Sequence, residues 1–288
     1  MAALLYTLKD LFLHLLEPWR FLVISLLHIP ETVAAIIRDG EQHKLLSQSA
    51  FSEVLFAHFW ATFGSQIRAN SEASVIPLLE GCVQNGHVCA DAVHSPLYGT
   101  VLEIGAGCGT WVDVFARVRD NHPECPITKV YGVEPNLKSA ALLTRRVEEL
   151  GMNDVYQVAP VGIEALEASD SWHDSVPSGS VDCIVSILCM CSIPDPDENM
   201  RRLYRLLKPG GTLYVYEHVK ATRGSPIITL YQRLLNIPWP FFLGSCSLCR
   251  STEKSLRAAG PWSKVDLAQP SEQPPYQVIP HLIGTLTK

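Results

Sequence analysis

The chain has 288 residues, 47% of them hydrophobic and 18% charged, and a formal net charge of −6. That length suits one large α/β domain with an appendage, and the apolar content excludes intrinsic disorder. The acidic balance offers no basic stripe for a phosphate backbone, so nucleic acid is excluded as the main partner and a small or neutral substrate fits better. The nine cysteines are odd in number and scattered, several within apolar runs such as Cys183 and Cys189. They read as buried free thiols of a reducing compartment, not as a disulfide framework.

The first forty residues are rich in Leu, Ile and Val but interrupted by Lys9, Asp10, Glu17, Arg20 and Glu31 and by Pro18 and Pro30. No uncharged run reaches the roughly 20 residues of a bilayer span, and no signal-peptide pattern is present. Short amphipathic helices are expected, with Leu4, Leu5, Leu8, Leu11, Phe12, Leu15 and Leu16 on one stripe. That stripe serves either as a lid or as a peripheral membrane contact through residues 1–40. Residues 1–95 read as a helical extension, and 96–288 as the main domain. Within the extension, 50–63 is an aromatic-rich helix that Gly64 ends, followed by a loop through Gly81, Asn85 and Gly86.

From Thr100 strands and helices alternate. Strands are expected at 100–105, 129–134, 155–159, 181–188 and 212–216, and helices at 110–119, 136–150 and 199–207. Such β-α units give a doubly wound, mostly parallel sheet that binds ligands beyond the carboxyl ends of its strands.

The first strand runs into Glu103-Ile104-Gly105-Ala106-Gly107-Cys108-Gly109-Thr110. Glycines there allow tight turning and close approach of a ligand, although a glycine run alone also suits a purely structural turn. A dinucleotide fingerprint requires Gly or Ala where Thr110 stands. Glu134 ends the second strand, 27 positions after Gly107, where a carboxylate can accept two ribose hydroxyls. The segments Val181–Ser186 and Leu206–Leu213, with Lys208-Pro209-Gly210-Gly211 between helix and strand, complete the order. Together these motifs resemble class I S-adenosylmethionine (SAM) methyltransferases, which implies a seven-stranded Rossmann-like sheet and SAM as cofactor.

A closer resemblance rests on Ser186–Ile193, on Glu217-His218-Val219, on Gly244–Thr252 and on Pro280–Gly284. Over residues 100–288 the chain is similar to the methyltransferase-like family that includes the animal microsomal thiol S-methyltransferases. The resemblance implies methyl transfer to a small lipophilic acceptor and attachment to an internal membrane; the leading expectation is transfer to oxygen or sulfur of a small metabolite by a cytoplasmic protein held peripherally on that membrane. The resemblance also implies that Glu103, Gly105, Ala106, Gly107 and Gly109 frame the methionine end and that Glu134 and Pro135 meet the ribose. Gly162 and Ile163 would lie by the adenine, where backbone contacts replace the acid usual at that point. Leu188 and Cys189 would line the sulfonium side.

His218, after the fifth strand, is the candidate acceptor-side base, with a hydrogen-bonded structural histidine as the alternative. His281 is a weaker candidate. Cys246 and Cys249 form a Cys-x-x-Cys pair without two further ligands nearby, so no metal is expected. Two other functions stay open: a protein methyltransferase, and a SAM-fold protein that only binds a ligand or catalyses a rearrangement.

Overall fold

The structure, a computed structural model, describes residues 2–168, 172 and 174–288, with side chains from residue 8 onward. In chain order, α1 (Ala2–Leu27), α2 (Ile29–Arg38) and α3 (Gln48–Leu79) lead to a small hairpin of β1 (Val83–Gln84) and β2 (His87–Val88). Then come β3 (Gly99–Ile104), α4 (Val112–Asn121), β4 (Ile127–Val133), α5 (Leu137–Glu149) and β5 (Tyr156–Ala159). The second half holds β6 (Val181–Ile187), α6 (Pro196–Leu206), β7 (Leu207–His218), α7 (Pro226–Leu235) and α8 (Trp239–Phe242). The chain closes with α9 (Thr252–Ala258), β8 (Lys264–Ala268) and β9 (His281–Thr287).

Seven strands form one sheet in the order β5-β4-β3-β6-β7-β9-β8. The pairs from β5 to β7 are parallel, and β9 runs antiparallel to both β7 and β8. The expected mostly parallel, seven-stranded, Rossmann-like sheet with a helical N-terminal extension is therefore the observed fold. Strand order reverses between β3 and β6, so the loops after these two strands open a crevice at the switch point.

Alternate side chains of each central strand enter opposite cores, as the pleat requires. Val101, Cys183 and Val185 pack with Phe115, Val130 and Leu143 on one face. Leu102, Ile184 and Leu213 pack with Leu203, Leu206 and Leu256 on the other. A third cluster joins Leu22 of α1 and Phe59 of α3 to Ile228, Trp239, Leu243 and Val278, beyond the carboxyl end of β7 and the amino end of β9.

Three local expectations fail. Gly64 does not end a helix: α3 runs on for fifteen residues after it, 65–79. A glycine inside a helix costs ~1 kcal/mol, but Ser71, Val75, Leu78 and Leu79 continue the buried face at helical spacing. A side chain at 64 would also crowd the Trp60 ring. Asn85 and Gly86, read as loop, form a tight hairpin turn with φ of 51° and 78°, the conformation of a type I′ turn.

Pro18 likewise does not break α1, whereas Pro30 sits in the first turn of α2, where its missing N–H costs nothing. Among the described residues, Leu8–Arg38 is long and apolar enough to cross a membrane by length and composition alone. The side chains of Leu4 and Leu5, expected on the stripe, lie outside the described residues. Several groups of α1 are nevertheless engaged by the main domain. Tyr276 donates to Asp10, Gln277 donates to Glu17 at 3.3 Å and Tyr231 donates to the Leu15 carbonyl at 2.7 Å.

Candidate active site

A cavity of about 960 Å³ occupies the switch-point crevice, a volume suited to a cofactor together with a small acceptor. Glu103, Gly105, Ala106, Gly107, Gly109, Glu134, Pro135, Gly162, Ile163, Leu188 and Cys189 all line it. Residues from four separate loops thus meet in one place.

The bend after β3 is the floor. Gly105 has φ of +68°, and a Cβ there would collide with the Cys189 sulfur. Gly107 has φ of +57° and faces open space, with nothing but the Gly105 carbonyl, 4.0 Å away, near where a Cβ would stand. A left-handed backbone beside open cavity is what a ligand lying against the main chain requires. Glu134 turns its carboxylate into the same bend: its Oε2 accepts the Gly107 N–H at 3.0 Å and its Oε1 the Asn136 N–H at 2.9 Å. A nucleoside cofactor fits this cradle of open backbone and positioned carboxylate.

The wall formed by the loop after β6 is held from behind. Leu188 has φ of +52°, a costly conformation for a branched side chain. Its N–H donates to the Tyr216 carbonyl at 2.8 Å. The fully buried Glu217 then accepts the N–H groups of Cys189 and Met190 at 3.0 Å each and the Ser186 hydroxyl at 2.7 Å. In the Glu-His-Val segment the histidine carries a recognisable chemical signal, and the glutamate carries none. Only the fold shows that a carboxylate at the end of β7 lies behind the loop after β6.

An apolar, aromatic N-terminal roof is what the sequence leads one to expect, and α3 supplies it; Glu164 and Arg68 line the cavity without a local signal. Glu164, on a short helical turn, folds its carboxylate back over Gly162, so an acid stands beside that backbone after all. The roof is α3, through Phe56, Trp60, Gly64, Ile67 and Arg68. Neither α1 nor α2 contributes to the lining, so among the described residues the lid expected from residues 1–40 is α3 instead. Arg68 locks roof to floor, donating to the Thr110 carbonyl and, at 2.6 Å, to Asp113 at the start of α4.

His218 departs from its expected place. It is 8% exposed, does not line the cavity, and points its Nε2 at the Cys246 sulfur, 3.2 Å away. The end of β7 carries it away from the cavity, beside Cys191 and Cys246. His281 is also absent from the lining, stacked on Tyr216 at 4.9 Å and bonded to Gln273. Cys246 and Cys249 do not act as a pair, since Cys249 instead faces Gln232.

Glu103, on β3 below the bend, is 3% exposed and accepts a hydrogen bond from Tyr156. Burial pushes its carboxyl up from 4.5 to about 8, against the Tyr156 bond and with help from the nearby Glu134 charge. Between these values the folded chain keeps a proton that the unfolded chain releases, so this group's contribution to stability is lost as pH rises from 4.5 to 8. Urea unfolding of the wild type should lose stability across that window, by an amount on the order of a few kcal/mol. Glu103→Gln should flatten the slope, and identical slopes in the two proteins would remove the buried proton.

Comparison with known proteins gives this geometry its family. A methyltransferase-domain family model matches residues 79–259. Thiol S-methyltransferase TMT1B of Rattus norvegicus is 32% identical over 194 residues, covering 66% of this chain and 70% of that protein. Thiol S-methyltransferase TMT1A of Homo sapiens is 28% identical over 190 residues, with the same two coverages. A geranyl diphosphate methyltransferase solved with SAM is 12% identical, covers 80% of this chain and 89% of its own, and superimposes with a TM-score of 0.51, which speaks to fold alone. With the switch-point cradle and these relatives together, the chain belongs to the methyltransferase-domain family and is a SAM-dependent methyltransferase.

Proposed function

We propose that the protein methylates the sulfur of a small lipophilic thiol, with residues 1–95 as a helical cap on a catalytic domain of residues 96–288. The observation that carries this reading is the acceptor side of the cavity. It is roofed by Phe56, Trp60 and Ile67, and Arg250 lines it while no histidine does among the described residues. A thiol ionises near pH 8.5 and needs only a nearby positive charge to favour the thiolate, whereas an alcohol needs a base. The relatives named as thiol S-methyltransferases support the same choice.

When bound, SAM supplies an already activated methyl group on a sulfonium. In this reading Glu134 accepts the ribose hydroxyls, Glu164 and the backbone at Gly162 and Ile163 meet the adenine, and the bend from Gly105 to Gly109 carries the methionine end. Leu188 and Cys189, held by Glu217, fix the line of approach. The apolar roof on α3 excludes water and orients the acceptor, and positioning of this kind supplies roughly 7–11 kcal/mol. Arg250, anchored by its bond to the Ile193 carbonyl at 2.7 Å, stabilises the acceptor thiolate.

Peripheral membrane attachment is part of the proposal. Phe12, Trp19, Val23 and Leu27 of α1 are exposed, as are Ile227, Leu230 and Leu234 of α7 and Ile237 just beyond it. Trp19 donates to the Tyr231 hydroxyl at 2.7 Å, joining the two helices. An apolar ridge whose polar residues bond back to the protein suits a helix lying in the interface better than one crossing it.

With SAM and a hydrophobic thiol, the protein should release S-adenosylhomocysteine and the thioether at least tenfold faster than with a phenol or carboxylic acid of the same skeleton. Equal turnover of the phenol would overturn the choice of sulfur. Arg250→Met should raise the acid limb of the kcat/KM pH profile by about one unit while leaving SAM affinity unchanged; an unmoved profile removes its role. Calorimetry on Glu134→Ala should show SAM binding weakened roughly 10- to 100-fold, as for a lost hydrogen bond to a charged group. Flotation with liposomes should be lost when Phe12, Trp19 and Ile227 are changed to Glu, with turnover of a water-soluble thiol retained; persistent flotation would place attachment elsewhere.

A further inference from the structure

Away from the cavity lies a cluster that the methyl-transfer reading does not use. Cys191, His218 and Cys246 come from the loop after β6, the end of β7 and the loop after α8, and all three are buried. One ligand atom from each lies within 4.8 Å of the other two. Bonds of ~2.0–2.3 Å in three-coordinate geometry place the ligand atoms roughly 3.7–4.0 Å apart, so side-chain adjustments of under about 1 Å would close the set on one ion. The His218 Nδ1 is buried without a hydrogen-bond partner. Its Nε2 meets sulfur, 3.2 Å from Cys246.

Both sulfurs have outer partners of the kind that steady a thiolate. Trp239 Nε1 donates to Cys246 at 3.3 Å, and the Ser192 hydroxyl lies 3.4 Å from the Cys191 sulfur. The Ser247 N–H donates to the Cys191 carbonyl at 3.1 Å, fixing the two cysteine loops together. These features are independent of the glycine bend and of the acceptor's identity.

We propose that Cys191, His218 and Cys246 form a binding site for a thiophilic monovalent ion, Cu(I), in three-coordinate S₂N geometry. Soft thiolates with one imidazole favour Cu(I) or Zn(II). Structural zinc is almost always four-coordinate, and no fourth His, Cys, Asp or Glu joins this group among the described residues. Binding exchanges two S–H bonds for two S–Cu bonds and releases two protons to solvent; copper enters and stays as Cu(I), so nothing is oxidised or reduced. The ion would tie together three segments whose neighbours Ser192 and Ser245 line the cavity, and so would stiffen the acceptor wall.

The full-length chain, loaded anaerobically with Cu(I) and passed through a competing Cu(I) chelator, is expected to retain one equivalent of copper. Its unfolding midpoint should rise by ~5 °C. X-ray absorption on this unmodified protein should show two sulfur neighbours and one nitrogen. Cys249→Ser should retain the copper, and Cys191→Ser and Cys246→Ser should lose it. An oxygen-rich or all-sulfur shell, no retained copper, or retention by the Cys191→Ser/Cys246→Ser double variant would each overturn the site. One equivalent of tightly held zinc in a four-coordinate shell, with copper removed by the chelator, would overturn the three-coordinate Cu(I) assignment. The absorption measurement decides the matter even where a cysteine variant fails to fold.

Discussion

Close contact between Gly105 and Cys189 sets the shape of everything above the sheet. Gly105 leaves β3 in a left-handed turn, and the Cys189 side chain from the neighbouring loop fills the space where a Cβ would stand. The two strands adjoin at the point where the strand order reverses, so their loops diverge above that contact and leave a crevice between them. Any side chain at 105 would push the loops apart and change the distance between the cofactor floor and the acceptor wall.

Two buried carboxylates serve this arrangement in different ways. Glu103 sits under the floor against Tyr156, and its raised titration range reflects a carboxyl withdrawn from water with one hydroxyl donor. Glu217 sits under the wall with three donors, two of them main-chain N–H groups of the very loop that carries the strained Leu188. A positive φ at a branched residue costs of order 1–3 kcal/mol and persists only where its surroundings over-determine it. The Glu217 network provides that determination.

The helical cap divides its labour along the chain. The middle of α3 roofs the cavity, while its last turns, through Val75, Leu78 and Leu79, pack into the core beneath the sheet. Arg68 ties that roof to the start of α4, so roof and floor are linked by a charged contact as well as by packing. In front of α3, α1 docks on α7 and α8 through the third apolar cluster, while α2 packs against α3 itself. Their outward apolar residues are left to face something other than the catalytic pocket.

Sequence by itself determined the sheet class, the cofactor and the positions of the lining loops. These depend on local signals: glycines needing positive φ, an acid at a strand end, and apolar runs of strand length between helices of period 3.6. Eleven expected positions, from Glu103 to Cys189, meet in one cavity because each belongs to a strand-end loop whose place follows from β-α topology alone. Only the tertiary structure decided what crosses between loops. It passed α3 through Gly64, because burial of the later turns outweighs the propensity of one glycine. It brought Glu164 back over Gly162, put Glu217 behind a loop 27 residues earlier in the chain, and withdrew His218 from the cavity to face Cys191 and Cys246. Side-chain direction at the end of a strand depends on which neighbours pack around it, and those neighbours are distant in sequence; no local pattern carries that information.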